Sequence, residues 1–298
     1  MQAGKTERDL QKRQNRRHMN RKNRVLRKVV IDLSDRWTLE AENFKERMVQ
    51  AGLICCGKGE YDLDESILVT DRQAEAFAWK KAGGVCIGCT REDVFFEGAE
   101  LVTDSLNELD EVVLEETLCH GLGLPVTIAQ TERLILREIT EEEIEPLYQI
   151  SRQPGMEYLM RDQNGENCFE PERMLSYIKT VYRFYGYGLW SVWTKAGELI
   201  GCCGLSEFEM EKEFCLELQY MVAPEYQRQG YGMEMCTAAL AYAFDRTDWE
   251  EVWVRIHPDN QESILLAQRL GFLPEDRGLE EMRLFVLRRE QWGICGAV

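Results

Sequence analysis

Gln227-Arg228-Gln229-Gly230-Tyr231-Gly232 follows the apolar run Leu218-Gln219-Tyr220-Met221-Val222 and opens a helical pattern from Tyr231 to Phe244. A strand that ends in a glycine-containing turn and feeds a helix aims several free backbone N–H groups, and the positive end of the helix dipole, at one point. That arrangement suits a pyrophosphate. Gly230 and Gly232 let the backbone approach an anion without Cβ interference, and Gln227 and Arg228 add donors. The string alone also describes an ordinary tight turn, so its surroundings decide between the two.

Four signatures in order surround it. Thr131-Glu132-Arg133-Leu134-Ile135-Leu136-Arg137-Glu138 precedes Gly188-Leu189-Trp190-Ser191-Val192-Trp193, then Leu199-Ile200-Gly201-Cys202-Cys203-Gly204-Leu205, and Asn260-Gln261-Glu262-Ser263 leads to Leu270-Gly271-Phe272. Together these stretches resemble the acetyl-CoA-binding core of the GNAT acetyltransferase superfamily over about residues 131–292, in the branch that acetylates ribosomal-protein N-termini and related amines. The resemblance implies a mixed-sheet fold with acetyl-CoA as co-substrate. It places acetyl and pantetheine contacts at Tyr220, Met221 and Val222, and pyrophosphate contacts at Gln227, Arg228, Gln229, Gly230, Tyr231, Gly232 and Met233, with Asn260 and Ser263 beyond them.

Direct acetyl transfer to an amine needs the ammonium deprotonated, the carbonyl oxygen stabilised and the departing thiolate protonated. Alternation along the central strand puts Leu216, Leu218, Tyr220 and Val222 on one face and Cys215, Glu217, Gln219 and Met221 on the other. Glu217 is therefore expected to face the cleft or solvent and to act as base through water, against the alternative of a solvated strand residue. His257, at the end of the next strand, is a second base candidate or a surface histidine. Many relatives place a tyrosine four residues before the Gly-Phe pair to protonate the thiolate; here that position is Ala267. Ser263 is the nearest hydroxyl, as in the ribosomal-protein branch, or simply supports the first turn of its helix. Gln219 stands where that branch often has glycine.

The remainder of the chain fills in around this core. Its 298 residues suffice for two domains, and 44% hydrophobic with 30% charged residues is a globular composition. No apolar run approaches 18 residues and the basic start lacks an apolar segment, so neither a membrane span nor a secretory signal is expected, and the expected location is cytoplasmic. Eleven cysteines scattered through apolar segments fit reduced, buried thiols. Cys86-Ile87-Gly88-Cys89 lies along a strand pattern with no second such pair, and no metal site is expected. Residues 1–28 hold eleven Lys and Arg against Glu7 and Asp9, a net +9, so the rest carries −26 of the total −17. This basic arm is read as a solvated tail in preference to a nucleic-acid or ribosome contact, since no aromatic residue precedes Trp37. The acidic body would attract a cationic amine.

Residues 29–126 alternate short strands with helices: Val29 to Asp32, Leu39 to Ala51, Ile67 to Asp71, Arg72 to Ala82, Val85 to Cys89, Glu100 to Val102 and Asp110 to His120. This predicts a small parallel, Rossmann-like α/β sheet with Asp32 and Asp71 at its carboxyl edge, where such carboxylates hold Mg²⁺ or accept a phosphoryl group. Leu68-Val69-Thr70-Asp71, the stretch Ala82 to Gly88 and the stretch Gly98 to Leu109 resemble the terminal section of the haloacid dehalogenase superfamily. Asp32-Leu33-Ser34 would stand at its Asp-x-Asp, with Ser34 replacing the second aspartate, and only 34 residues separate Asp32 from Ile67. The expectation is a truncated, non-catalytic module. Leu122 to Ala129 reads as a join, and residues 127–298 as the acetyltransferase domain, with a helix starting at Thr140, another opened by Glu170-Pro171-Glu172 and running to about Tyr185, and the loop from Met156 to Phe169 beside the acceptor. Two other functions stand against transfer: an acyl-CoA-binding protein with a non-catalytic GNAT domain, and a bifunctional phosphatase-acetyltransferase.

Overall fold

The computed structural model describes residues 25–57, 59, 61–92, 95–156, 167–279 and 282–295. Most of the basic arm, and residues 157–166 of the loop expected beside the acceptor, lie outside them. The chain divides into two compact units, the first ending at Val126 and the second beginning at Thr127.

The first unit is a wholly parallel sheet of β1 (Lys28–Asp32), β2 (Ile54–Cys56), β3 (Ser66–Thr70), β4 (Val85–Cys89) and β5 (Leu101–Thr103), in the order β2-β1-β3-β4-β5. Its helices are α1 (Thr38–Gln50), α2 (Gln73–Lys81) and α3 (Glu111–Leu122). Val29, Ile67, Val69, Val85 and Ile87 pack with Phe44, Met48, Leu114 and Leu118 from α1 and α3. Their neighbours Val30, Leu68 and Cys86 pack with Ala76 of α2 and with Phe96. Both sheet faces are covered, which is why β3 and β4 are buried at every position and read as continuous apolar runs. The three-residue β2 escaped the sequence because an edge strand with Ile54 mostly exposed carries no periodic signal. Helix α3 is capped by Asp110, whose carboxylate accepts from the N–H groups of Val112 and Val113, and ends on left-handed Gly123.

At the carboxyl edge of this sheet Asp71 accepts hydrogen bonds from the backbone N–H of Ser34 at 3.0 Å and from the Ser34 hydroxyl. Asp32 pairs with Arg72 at 3.0 Å. Burial pushes the Cys86 thiol up to about 11 and the Cys89 thiol up to about 12, so both stay protonated at neutral pH.

The second unit holds, among the described residues, one sheet in the order β12-β13-β11-β10-β9-β8-β7-β6. Its strands are β6 (Thr127–Gln130), β7 (Leu134–Glu138), β8 (Leu189–Thr194), β9 (Leu199–Met210), β10 (Glu213–Val222), β11 (Glu251–Ile256), β12 (Leu273–Leu279) and β13 (Met282–Arg288). Strands β6 to β10 form an antiparallel meander, β10 and β11 are parallel, and β13 runs antiparallel to β11 and β12. The stretch expected as a join is thus partly a strand. β6 is an edge whose pairing with β7 supplies the order that its weak alternation does not announce.

The helices are α4 (Glu141–Ser151), α5 (Pro171–Tyr185), α6 (Tyr231–Arg246), α7 (Gln261–Arg269) and α8 (Arg289–Cys295). The acidic start of α4 is closed by Glu143, whose carboxylate accepts from the Thr140 N–H at 2.8 Å and is itself held by Arg137 at 2.6 Å. Ile144, Leu147 and Ile150 of α4 and Met174 of α5 pack with Leu189, Cys202 and Met221 from the strands. Gly201, at φ +150°, sets the spacing at the centre of the sheet, since a Cβ there would fall 1.9 Å from the Met221 carbonyl oxygen.

Candidate active site

Strand β10 is hydrogen-bonded to β9 along its whole length, from Glu213 to Val222, but to β11 only at Leu216 and Glu217. Past Glu217 the two parallel strands separate. Among the described residues no strand pairs with the β11-facing edge of Leu218 to Val222; the Val222 carbonyl accepts from the Gln227 amide at 2.9 Å, and the other backbone groups of this edge need other partners. A cavity of ≈ 300 Å³ lies along this fork, lined by Tyr220, Met221 and Val222 of β10, by Gln227, Arg228, Gly230, Gly232 and Met233, and by Asn260, Glu262, Ser263, Leu265, Leu266 and Arg269, with Gly155 at its rim.

The loop between β10 and α6 is built as an anion cradle. Arg228 has φ 58° and Gly230 φ 84°, two left-handed residues separated by one, and Gly230 is the residue that caps α6. Such alternation turns successive N–H groups to one side, beside the unfilled donors of the first helical turn. The conformation of Gly230, more than space, favours glycine: a Cβ there would meet only Nη2 of Arg133, at 3.3 Å. The Arg228 guanidinium donates to Glu262 Oε1 at 3.1 Å.

The cradle is braced from the β6–β7 turn. Arg133 donates from Nη1 to the Gln229 carbonyl at 3.0 Å, lies over the Tyr231 ring at 4.3 Å, and bonds Glu234 through Nε at 2.6 Å and its backbone N–H at 2.9 Å. Burial works to raise the Glu234 carboxyl, but hydrogen bonds from Thr131 and Arg133 and the Arg133 charge more than offset it, leaving the carboxyl below its ordinary value of 4.5. A carboxyl depressed on folding stabilises fully above its unfolded value, and that contribution fades as pH falls through the native one. Glu234→Gln is thus expected to lose less stability than the parent between neutral pH and about pH 3. Denaturant midpoints at the two pH values measure this, and equal losses in both proteins would remove the bracing role.

Ten of the twelve residues expected to hold the cofactor line the cavity. Gln229 and Tyr231 do not: the Gln229 amide donates to the Glu225 carbonyl at 2.8 Å, and the Tyr231 ring packs under Arg133 and against Tyr226. Their backbones complete the loop. Glu262, Leu265, Leu266 and Arg269 were missed, although their spacing of three, four and seven marks one stripe of a helix. Helical periodicity counted from the N-cap Asn260, whose side chain accepts from the Ser263 N–H at 3.1 Å, would have found them.

Glu217 lies on the face opposite Tyr220, as alternation puts it. It does not face solvent: it is 4% exposed, and Arg255 clamps it with Nε on Oε1 and Nη2 on Oε2, both at 2.8 Å. The Gln219 amide adds a bond to Oε2 at 2.9 Å. Arg255 stands two residues beyond Trp253, the β11 partner of Glu217, so it reaches back across the strands where they part. Its guanidinium lies over Phe208 at 4.4 Å. Burial works against the Arg255 charge, and the bonds and charge of Glu217 more than restore it, holding the guanidinium above its ordinary value. Of the two settings expected, cleft or solvent, solvent is excluded: Arg255 and Gln219 hold the carboxylate, and the strand residues Phe208, Cys215 and Trp253 form a buried cluster there, so period-2 alternation alone does not mark a solvent side.

Three other sequence candidates have definite places. His257 follows β11, and its Nδ1 accepts from the Asp259 N–H at 3.2 Å, which commits that lone pair to the turn. Ser263 lines the cavity from α7. Ala267 is buried one turn further on, with no hydroxyl to offer.

Residues 133–273 match the acetyltransferase (GNAT) domain family. The uncharacterized N-acetyltransferase YoaA of Bacillus subtilis (strain 168) is 26% identical over 155 residues, covering 50% of this chain and 84% of that protein. The uncharacterized protein YkkB of the same organism is 33% identical over 88 residues, covering 29% of this chain; the chain spans about half, 51%, of its length. Among solved structures, spermidine N-acetyltransferase from Vibrio cholerae in complex with CoA and spermine is similar at 19% identity and a TM-score of 0.46, over 54% of this chain and 99% of that one. The fork between β10 and β11, the cradle at the start of α6 and the family match over the same residues lead to one conclusion: residues 133–273 are a GNAT acetyltransferase domain, of the family that uses acetyl-CoA as its acetyl donor.

Proposed function

We propose that this protein transfers acetyl from acetyl-CoA to an amine by direct attack, the acceptor being a small-molecule amine or a protein N-terminus. The observation that supports it most is the unpaired edge of β10 opening onto a cavity that ends in the left-handed cradle of Arg228 and Gly230. The N–H groups of Arg228 to Met233 would take the pyrophosphate and the free edge at Tyr220 to Val222 the pantetheine. On the other face, Glu217 uses three of its roughly four lone-pair sites on Arg255 and Gln219, leaving one on Oε1 for a water that carries the proton from the acceptor.

A screen for coenzyme A release with polyamines, free amino acids and N-terminal peptides tests the proposal. Acceptor-dependent release supports transfer. Tight acetyl-CoA binding with no release for any acceptor would favour the second reading, an acyl-CoA-binding regulatory protein.

The cradle has its own test. Gly230→Asp adds a side chain and a like charge where the pyrophosphate would lie, so acetyl-CoA affinity should fall about tenfold or more. Calorimetry on the full chain reads it, and an unchanged affinity in the folded variant would place the pyrophosphate elsewhere.

For the first unit we retain a truncated haloacid-dehalogenase-like module without catalysis, on residues 29–126. Two features support this over the bifunctional phosphatase: Ser34 stands where the second aspartate would be and is spent on Asp71, and Asp32 is paired with Arg72. No helix among the described residues is long and apolar enough to cross a membrane. A cytoplasmic location, and the basic arm as a solvated tail in preference to a ribosome contact, belong to the same proposal.

A further inference from the structure

Tyr220 projects from β10 on the face opposite Glu217, alternate to Met221, and lines the cavity. Its hydroxyl donates to the Ser263 carbonyl oxygen at 3.4 Å, a long bond that holds the phenol weakly. The groups facing it are Cys236 from α6, Ser263 from α7 and Cys203 from β9. Burial is the first cause that pushes the phenol well above its ordinary value, with a hydrogen bond from the Ser263 side chain working the other way. The hydroxyl is therefore a proton-bearing donor throughout the working pH range. It stands on the same three residues whose free edge would hold the pantetheine arm.

Breaking the thioester leaves negative charge on sulfur, and a fixed neutral donor in a water-poor wall stabilises such charge without reorganising. Two hydroxyls are at hand, those of Tyr220 and Ser263, and a phenol is the more acidic and hence the stronger donor. Resting on the acetyl-CoA assignment above, we propose that Tyr220 is a catalytic residue that hydrogen-bonds the departing thiolate. Its O–H turns from the Ser263 carbonyl to the sulfur as the acceptor nitrogen bonds the acetyl carbon and the C–S bond breaks. The sulfur keeps the bonding electron pair. Tyr220 keeps its proton, and the proton that finally neutralises the thiolate is the one released by the acceptor nitrogen through water.

The test needs no acceptor. The thiol of CoA bound to the full-length protein is titrated by its thiolate ultraviolet absorbance, taken as a difference against the complex with S-methyl-CoA so that protein thiols cancel. A charge-assisted bond from Tyr220 lowers the pKa of the bound thiol, and Tyr220→Phe should raise it by about one pH unit. Replacing Tyr220 with 3-fluorotyrosine preserves the shape of the ring and lowers the phenol pKa, so the bound thiol should become more acidic than in the parent; this arm reads the donor even where the phenylalanine variant folds poorly. With any active acceptor, Tyr220→Phe should lose about tenfold in kcat with the acetyl-CoA KM unchanged. A bound-thiol pKa unaltered by both substitutions overturns the proposal while leaving the acetyl-CoA assignment standing. Absence of CoA binding by the parent protein overturns both.

Discussion

Arg255→Met should cost the second unit about 3–5 kcal/mol, because it strands the Glu217 carboxylate in the interior without its counter-charge. Glu217 is 4% exposed and takes two 2.8 Å bonds from one guanidinium, so no water shell stands ready to replace them. Methionine keeps part of the aliphatic stem beside Phe208 while removing the charge and both hydrogen bonds to Glu217, so the loss reports the whole ion pair. For a unit of this size the expected fall in Tm is about 6–20 °C. Unfolding of the full chain followed by tryptophan fluorescence reads it, since five of the seven tryptophans lie in the second unit and Trp37 and Trp79 in the first are unaffected by the substitution. Adding Glu217→Met should recover a large share of the loss, because a buried pair replaced by apolar groups of similar volume is often neutral. A single-variant loss under about 1 kcal/mol would mean that the pair behaves as a surface one.

Turnover should fall about 10²- to 10⁴-fold in Glu217→Gln, the usual scale for a general base, while acetyl-CoA affinity stays nearly constant. The affinity is spared because the cavity runs along Tyr220 to Val222 and α7, and Glu217 projects on the other face. If the acceptor enters as an ammonium, the lost rate should partly return at higher pH, where more of the amine is already neutral. That recovery distinguishes a base from a residue that only positions substrate. The substitution also weakens the bonds to Arg255, so the assay belongs at a temperature below the unfolding transition of the variant. Turnover within a few-fold of the parent across the pH range would move the proton transfer to bulk solvent. His257 is a poor substitute, its Nδ1 being occupied by the Asp259 N–H.

The cofactor side of the site was legible in the sequence because its signals are local. A glycine-bearing turn after a strand, a cap at Asn260 and an acidic first turn after Thr140 are short-range patterns with fixed backbone consequences, and the end of β10 and the starts of α6 and α7 follow from the first two. The continuous apolar runs of β3 and β4 likewise announced a sheet covered on both faces. What the sequence left open depends on pairings between distant residues. Strand β2 and strand β6 exist because neighbours complete them. The separation of β10 from β11 after Glu217 is a property of register, which no single strand encodes. Arg255 lies 38 residues from Glu217 and meets it only because two parallel strands bring them side by side on a covered face. Residue types fixed the local shapes of the second unit, whereas the burial of one carboxylate, the partner that compensates it, and the phenol that shares its strand were decided by the tertiary packing of helices on both sides of the sheet.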